Sequence, residues 1–547
     1  MTSAATLWRT VRHLRAKQIF GRVSFRLSRP KPDLRPAPAR RRLAGTWHQP
    51  ATREPSLIGP GRLRVLNEDY DVERQGWDDP SASKLLRYNV HYFEDLIARA
   101  SKDRDAWQRA LVDGWIAANP PGAGTGWEPY PVSLRVVNWI KWFLGGSQVE
   151  ASWLDSLAAQ VRWLRRRLEY HLLGNHLFVN AKALMFAGVY FDGPEAQEWL
   201  ETGAAILERE VPEQILADGA QFELSPMYHA LALEDVLDLL NLCAVEGAAS
   251  QRMAFRANLA RRTGPMLEWL RAMTHPDGTP GLFNDCAPGI AADLPELEAY
   301  AARLGVVASC PRDGIVHFPA SGYIRAAWSG ATALVDVARI GPDYLPGHAH
   351  ADTLSFELSV GARRLLVNGG TSLYGTGPER LRERGTAAHN TVAIAEQNSS
   401  EVWSGFRVGR RARPLNVEVT TDGVTAAHDG YRYLRGRPLH RRRWQFAPAS
   451  LLVEDEALPA RQSAIARFHL APGLSLAHVA DAHWQVRAGD DVACAIEIIE
   501  GEASRESASH ATAFGRTVLT DCLAVRLREG RGSARFTWGN DANTFPH

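Results

Sequence analysis

The stretch Gly347-His348-Ala349-His350-Ala351-Asp352-Thr353-Leu354-Ser355-Phe356-Glu357-Leu358 decides how the rest of the chain is read. From Thr353 onward apolar and polar residues alternate, as in a half-buried strand. Pro346-Gly347 starts a turn ahead of it. Residues two apart on an extended backbone face the same side, so His348 and His350 are expected to point into one space. Two imidazoles with an acid close by serve a metal site, acid–base chemistry, or one of each. Two core histidines bonded to backbone carbonyls are the plainer alternative.

Outward from this stretch the chain divides by texture. Beyond about residue 312, short alternating runs recur at 321–328, 331–339, 353–360, 363–368, 390–395, 416–420, 424–428, 440–447, 450–455 and 464–470. Turn residues separate them, which predicts two stacked antiparallel sheets. From about 84 to 305 the period is helical, with helices predicted at 85–100, 104–117, 132–146, 151–172, 176–191, 195–209, 228–247, 251–273 and 291–304. Many are apolar around most of their circumference, so a layered array or toroid fits better than a four-helix bundle. The expected organisation is an α+β multidomain chain: a basic arm and linker over 1–42, an N-terminal incomplete (α/α) toroid over 43–310, and a C-terminal antiparallel β-sandwich over 311–547.

Composition sets the outer bounds. With 547 residues the chain exceeds one ordinary core. Its net charge of +2 singles out no partner. No apolar run reaches the roughly 18 residues needed to span a bilayer. Five scattered cysteines form no CxxC, which favours a reducing, cytoplasmic setting. The first 42 residues hold twelve Lys/Arg and a single acid, Asp33, without the apolar core of an export signal. Leu7, Val11 and Leu14, then Ile19, Val23 and Leu27, recur at near-helical spacing, the pattern of a basic amphipathic helix that docks on a membrane, a partner or its own domain.

Other stretches hold residues suited to chemistry. Asn175-His176 follows Gly174 at a helix junction, where Asn is also an ordinary cap. In Asp218-Gly219-Ala220-Gln221-Phe222-Glu223-Leu224-Ser225-Pro226-Met227-Tyr228, the alternating Gln221, Glu223 and Ser225 share a face. Tyr228 opens a helix, whose N–H dipoles favour a phenolate; packing is the duller role. Trp127 lies in a loop without helical spacing, so it is expected as an exposed sugar platform, and Arg135 as a nearby substrate contact. Tyr374 follows Asn368-Gly369-Gly370. Arg380, Arg382 and Arg384 form a cationic group in the β half, suited to an anionic substrate because guanidinium pairs bidentately with carboxylate or sulfate.

GHAHADTLSFEL followed by LLVNGGTSLYG and RGTAAHNTV resembles the C-terminal domain of the heparinase II/III family of polysaccharide lyases. Gly174-Asn175-His176 and Glu223…Tyr228-His229 resemble its helical N-terminal domain. The motifs fall in order over roughly 120–400. The resemblance implies a toroid followed by a sandwich, and β-elimination on a uronate polymer. It implies that Asn175 and His176 neutralise the uronate carboxylate, that Tyr228 acts as acid and base, and that His348 shares the proton transfer. Gln221, Glu223, Tyr374, Arg380 and Arg384 join Trp127 and Arg135 as substrate contacts. It further implies a structural zinc on His350, His389 and position 368, where this chain has Asn in place of the family's Asp, a weaker ligand.

Three other readings are open. A uronyl C5-epimerase uses the same proton abstraction. An inverting glycoside hydrolase needs paired acids, with Glu128, Glu223 and Asp285 as candidates. A non-catalytic carbohydrate-binding protein of a capsule or exopolysaccharide locus would need no chemistry. No phosphate-binding GxxxxGK and no GxGxxG after a strand points to a nucleotide.

Overall fold

The computed structural model describes residues 3–246, 252–310 and 312–539. The expected helix ends at 247 and 251, the domain start at 311 and the chain beyond 539 lie outside them. The basic arm forms α1 (Ala4–Val11) and α2 (Ala16–Leu27). After it come a small three-stranded sheet (Leu57–Gly59, Arg62–Val65, Glu68–Asp71), which no sequence pattern marks, and the short α3 (Val72–Gln75). The helical half then runs α4 (Lys84–Val90), α5 (Asp105–Ala118), α6 (Pro129–Leu144), α7 (Ala151–Arg165), α8 (Gly174–Tyr190), α9 (Pro194–Gln214), α10 (Pro226–Glu246), α11 (Met253–Ala272) and α12 (Leu294–Arg303).

The inner helices of this incomplete toroid are buried nearly all round. In α6, Pro at the first turn presets the backbone dihedral, and Val132, Val136, Trp139, Ile140 and Phe143 join buried Ser133, Arg135 and Asn138. From Leu177 to Tyr190 every residue of α8 is buried. It lies close on α9, because a Cβ at Gly203 would fall 2.7 Å from the Ala181 carbonyl oxygen. The segment 30–42, expected as a linker, is instead a strap on this domain: Arg162 donates to the carbonyls of Arg35 and Pro36, and Arg41 to that of Phe191.

The β half has three main antiparallel sheets. Five strands pair in chain order (Gly314–Phe318, Tyr323–Trp328, Ala331–Asp336, Phe356–Val360, Arg363–Leu366). Four pair in the order Glu502–Ala513, Arg516–Arg526, Ala464–His469, Val392–Ile394. The five- and four-stranded sheets adjoin through a bridge between Leu366 and Leu470. Eight strands make the other layer, in which Leu439–Ala447 and Ser450–Leu458 bury every second residue. Phe356, Phe468, Trp444 and Phe536 meet edge-on between the layers. Within this core Arg442 grips Asp455 with two hydrogen bonds of 2.7 and 2.8 Å and donates to the carbonyls of Leu354 and Asn390. The α+β architecture, toroid then sandwich, is therefore as expected; the strands after residue 470 escaped sequence reading.

The two halves are joined by hydrogen bonds. Trp269 Nε1 donates to Ser321 Oγ at 3.1 Å and the Tyr323 hydroxyl to the Leu224 carbonyl at 2.9 Å. Between them opens a cleft of about 1320 Å³, lined by residues of both domains and of the arm.

Candidate active site

Gly174, the first residue of α8, has φ +55°, and a Cβ there would come within 2.2 Å of Leu345 Cδ2. Only glycine allows this approach of toroid to β-domain loop. It sets Asn175 and His176, the next two residues, at the cleft wall. Asn175 Nδ2 donates to Glu223 Oε1 at 3.3 Å. The His176 ring packs tilted against Tyr130 (4.5 Å between ring centroids) and its Nδ1 lies 3.2 Å from Glu169 Oε1. Desolvation pulls its pKa down, but the carboxylates of Glu169 and Glu223 outweigh this, leaving it above the ordinary histidine value.

Tyr228 stands in the first turn of α10 and meets His348, from the loop before the Phe356–Val360 strand, at 3.9 Å between ring centroids. Its hydroxyl is 2.9 Å from that of Tyr374. Burial first, then the neighbouring Tyr374, Tyr130 and Asp285, push its pKa well above the ordinary phenol value. The expected phenolate is thus corrected: desolvation and nearby negative charge overcome the helix-end dipoles, and Tyr228 holds its proton.

His348 and His350 do converge, though on a residue rather than on the cleft. His348 Nδ1 and Asp285 Oδ2 are 2.8 Å apart, as are His350 Nε2 and Asp285 Oδ1. Only His348, 14% exposed, reaches the cleft; His350 is fully buried. The backbone here is an irregular loop and not a strand. On its far side the His348 Nε2 faces Glu223 Oε2 at 3.3 Å. Arg380 clamps Asp285 with both terminal nitrogens, one at 2.6 Å. Burial alone would raise the Asp285 carboxyl, but the Arg380 charge and the donors His348, His350 and Arg380 hold it well below the ordinary carboxylate value.

Asp285 is therefore the hub of the site. Reading it as a hydrolase acid is corrected on the same ground, because its charge is consumed by Arg380 and the imidazoles. Glu128 is likewise engaged, by Lys84 and Tyr88. Asp285 holds one nitrogen of the His348 ring and Glu223 lies 3.3 Å from the other, so the two acids do not flank a scissile bond.

Several expected substrate contacts are structural. Trp127 is 3% exposed, its Nε1 donating to the Asn119 carbonyl and its ring packed on Trp115 and Trp163. Arg135 is buried against Gln160, the carbonyls of His91 and Gly126, and the Trp115 ring. Arg384 donates to the carbonyls of Ala349, Ser404 and Gly405. Gln221 is buried behind Glu223, which it orients. Arg380 serves Asp285. Glu223 and Tyr374 do line the cleft. Further cations and aromatics line it that no motif marked, among them Arg22, Arg407, Tyr130, Tyr344 and Phe406.

His350 Nδ1 and His389 Nε2 lie 3.3 Å apart, with burial holding His350 down to about 4 and His389 well below the ordinary value. Asn368 Oδ1 accepts from the Asn390 amide, while Asn368 Nδ2 and His389 Nδ1 have no partner. Among the described residues no group of three or more His, Cys, Asp and Glu is placed to hold a metal.

Residues 85–302 match the family model described as Heparinase II/III N-terminus, and residues 311–539 that described as Heparinase II/III-like, C-terminal. The chain is 25% identical over 457 residues to a Heparin-sulfate lyase of Bacteroides stercoris, covering 73% of this chain and 66% of the relative. It is 27% identical over 378 residues to one of Pedobacter heparinus, covering 60% and 55%. It thus spans 55% to 66% of the length of these curated relatives. Of solved structures, that titled Crystal Structure of Heparinase III superposes with a TM-score of 0.67 at 19% identity, over 86% of this chain and 81% of that one. The heparan sulfate lyase of Pedobacter heparinus gives 0.55 at 16%, over 95% and 87%. Both establish the fold.

Proposed function

Since the chain belongs to the heparinase II/III family, we propose that it is a polysaccharide lyase that cleaves a uronic-acid-containing glycan by β-elimination. The observation that carries this reading is the meeting of Tyr228 and His348 at 3.9 Å in a cleft whose wall also bears Asn175 and His176. The name of the relatives, heparin-sulfate lyase, supports an anionic glycosaminoglycan as the polymer.

The C5 proton of a uronate is too weakly acidic to be removed until its carboxylate is neutralised. The raised pKa of His176 favours imidazolium, and Asn175 adds a neutral donor beside it. Donors aimed at the charge that develops in the enediolate are usually the largest catalytic term. His348, its Nδ1–H held by anionic Asp285, presents Nε2 as base, and Glu223 stabilises the imidazolium that results. Tyr228, kept protonated by burial, gives its phenolic proton to the departing O4 and regains one through Tyr374. Each proton transfer contributes roughly 10²–10⁴-fold. Arg22 and Arg407 at the cleft wall meet further anionic groups along the chain.

A lyase leaves a 4,5-unsaturated uronate with ultraviolet absorbance. A panel of uronate polymers is expected to yield at least one such product; isomerised polymer without it would make the chain an epimerase, and new reducing ends without it a hydrolase.

The charge on His176 sets the alkaline limit. Imidazolium is present below its raised folded pKa and lost as pH rises through that value, so kcat/KM falls on that limb. His176→Gln is expected to lower kcat/KM about 10–100-fold at pH 6, the worth of one charge-assisted hydrogen bond, and to flatten the alkaline limb. An unchanged limb would take His176 out of substrate binding.

No step is assigned to a metal. Zinc on His350, His389 and Asn368 would have no charged ligand and be weakly held. After dialysis against EDTA, substoichiometric zinc is expected with Tm and turnover unchanged. A stoichiometric ion whose removal lowers Tm would restore it as a structural element.

A further inference from the structure

The N-terminal arm turns its polar side to the protein and its apolar side outward. Thr6 and Arg9 of α1 bond Glu401, and Trp403 Nε1 donates to Thr10 Oγ1 at 3.0 Å. In α2, Gln18 Nε2 donates to the Tyr344 carbonyl at 3.2 Å, and the Arg15 guanidinium just before it sits 3.7 Å over the Tyr344 ring and pairs with Glu213. Phe25 lies against His171 at 4.2 Å. The arm is thus fixed to both domains, with one surface left free.

That surface is apolar. Leu7, Trp8 and Val11 of α1 are 51, 65 and 37% exposed, and Ile19, Phe20, Val23 and Leu27 of α2 are 51, 73, 54 and 77% exposed. At 3.6 residues per turn the four α2 side chains occupy an arc of about 100°. Arg22 and Arg26 border this arc on one edge and Lys17 on the other, all exposed. Leu7, Val11 and Arg22 also line the cleft, so the arm forms one of its lips.

We propose that this face docks the protein peripherally on an anionic lipid bilayer, holding the cleft mouth beside the membrane surface. An apolar arc edged by Lys/Arg is the layout of helices that lie in the interface plane, the apolar side entering the acyl boundary and the cations meeting anionic headgroups. Charge complementarity selects this occupant. Of the twelve Lys/Arg in the first 42 residues, Arg9, Arg15, Arg35 and Arg41 pair with carboxylates, while Lys17, Arg22 and Arg26, and Arg29 just past α2, are exposed and make no ion pair among the described residues. A second copy would bring like charges face to face; a soluble polyanion would leave Trp8, Phe20 and Leu27 in water. No helix among the described residues is long and apolar enough to cross a membrane, so the attachment is to one surface.

The test is sedimentation of the full chain with phosphatidylcholine vesicles, with or without phosphatidylglycerol. Binding to the anionic vesicles is expected, released by high salt and at least tenfold weaker to the neutral ones. A basic residue near an anionic surface is worth roughly fivefold in partitioning, so Arg26→Glu with Arg29→Glu should cut binding about 30-fold or more. The triple variant Trp8→Ser, Phe20→Ser, Leu27→Ser should abolish it while Tm and activity on soluble polymer stay unchanged, separating docking from catalysis. Equal binding to both vesicle types, no binding, or full binding by the triple variant overturns the proposal. A dimer in sedimentation equilibrium that the triple variant dissolves, without vesicle binding, assigns the face to a second copy.

Discussion

Tyr228→Phe is expected to lower kcat by about 10²–10⁴-fold, the worth of one general acid–base group, with substrate binding and Tm nearly unchanged. The phenyl ring retains the contact with His348, whose centroid lies 3.9 Å away, and removes only the hydroxyl. That hydroxyl bonds the Tyr374 hydroxyl at 2.9 Å, which itself lines the cleft. The folded state therefore loses little. Single-turnover assays on the polymer identified by ultraviolet screening would show the loss in the chemical step. Residual activity within tenfold of the parent would remove Tyr228 from the mechanism and leave His348 to act as both acid and base.

Asp285→Asn is expected to damage both stability and rate. The carboxylate is fully buried and bonded to Arg380, His348 and His350. Its replacement leaves Arg380 as an unpaired buried charge, which costs about 3–5 kcal/mol. Because the folded pKa is depressed, this stabilisation is complete above the ordinary carboxylate value of about 4 and is lost as pH falls through the depressed one. The deficit measured by urea unfolding should therefore be constant from neutral pH to about pH 4 and shrink below it. Turnover should fall on the order of 10²-fold, since a neutral amide no longer offsets the positive charge that His348 gains on acting as base. Removing both charges, as Asp285→Leu with Arg380→Met, should recover much of the stability and none of the activity. Recovery of activity in the double variant would show that Asp285 only balances charge.

Trp127 and the arginines show where reading the chain reached its limit. Trp127 lacks helical spacing, which suggested exposure, yet its ring closes a cluster with Trp115 and Trp163. Arg135 and Arg384 look like anion receptors in the chain, but most of their donors end on backbone carbonyls. A guanidinium carries the same charge whether its partner is a substrate or its own fold, and only packing tells which. Asp285 was visible as an acid, though its role depends on His348, 63 positions away, and Arg380, 95 away.

By itself the sequence determined the change of period near residue 312, and with it the order of toroid and sandwich, because apolar spacing is a local property of the chain. It also displayed the side chains suited to the proposed chemistry: Asn175 and His176 as donors to a carboxylate, Tyr228 and His348 for proton transfer. Tertiary structure alone decided that these four share one cleft, that Asp285 anchors His348 and His350, and that Tyr228 keeps its proton. Those outcomes rest on burial and on charges brought together from distant positions, which no local pattern encodes.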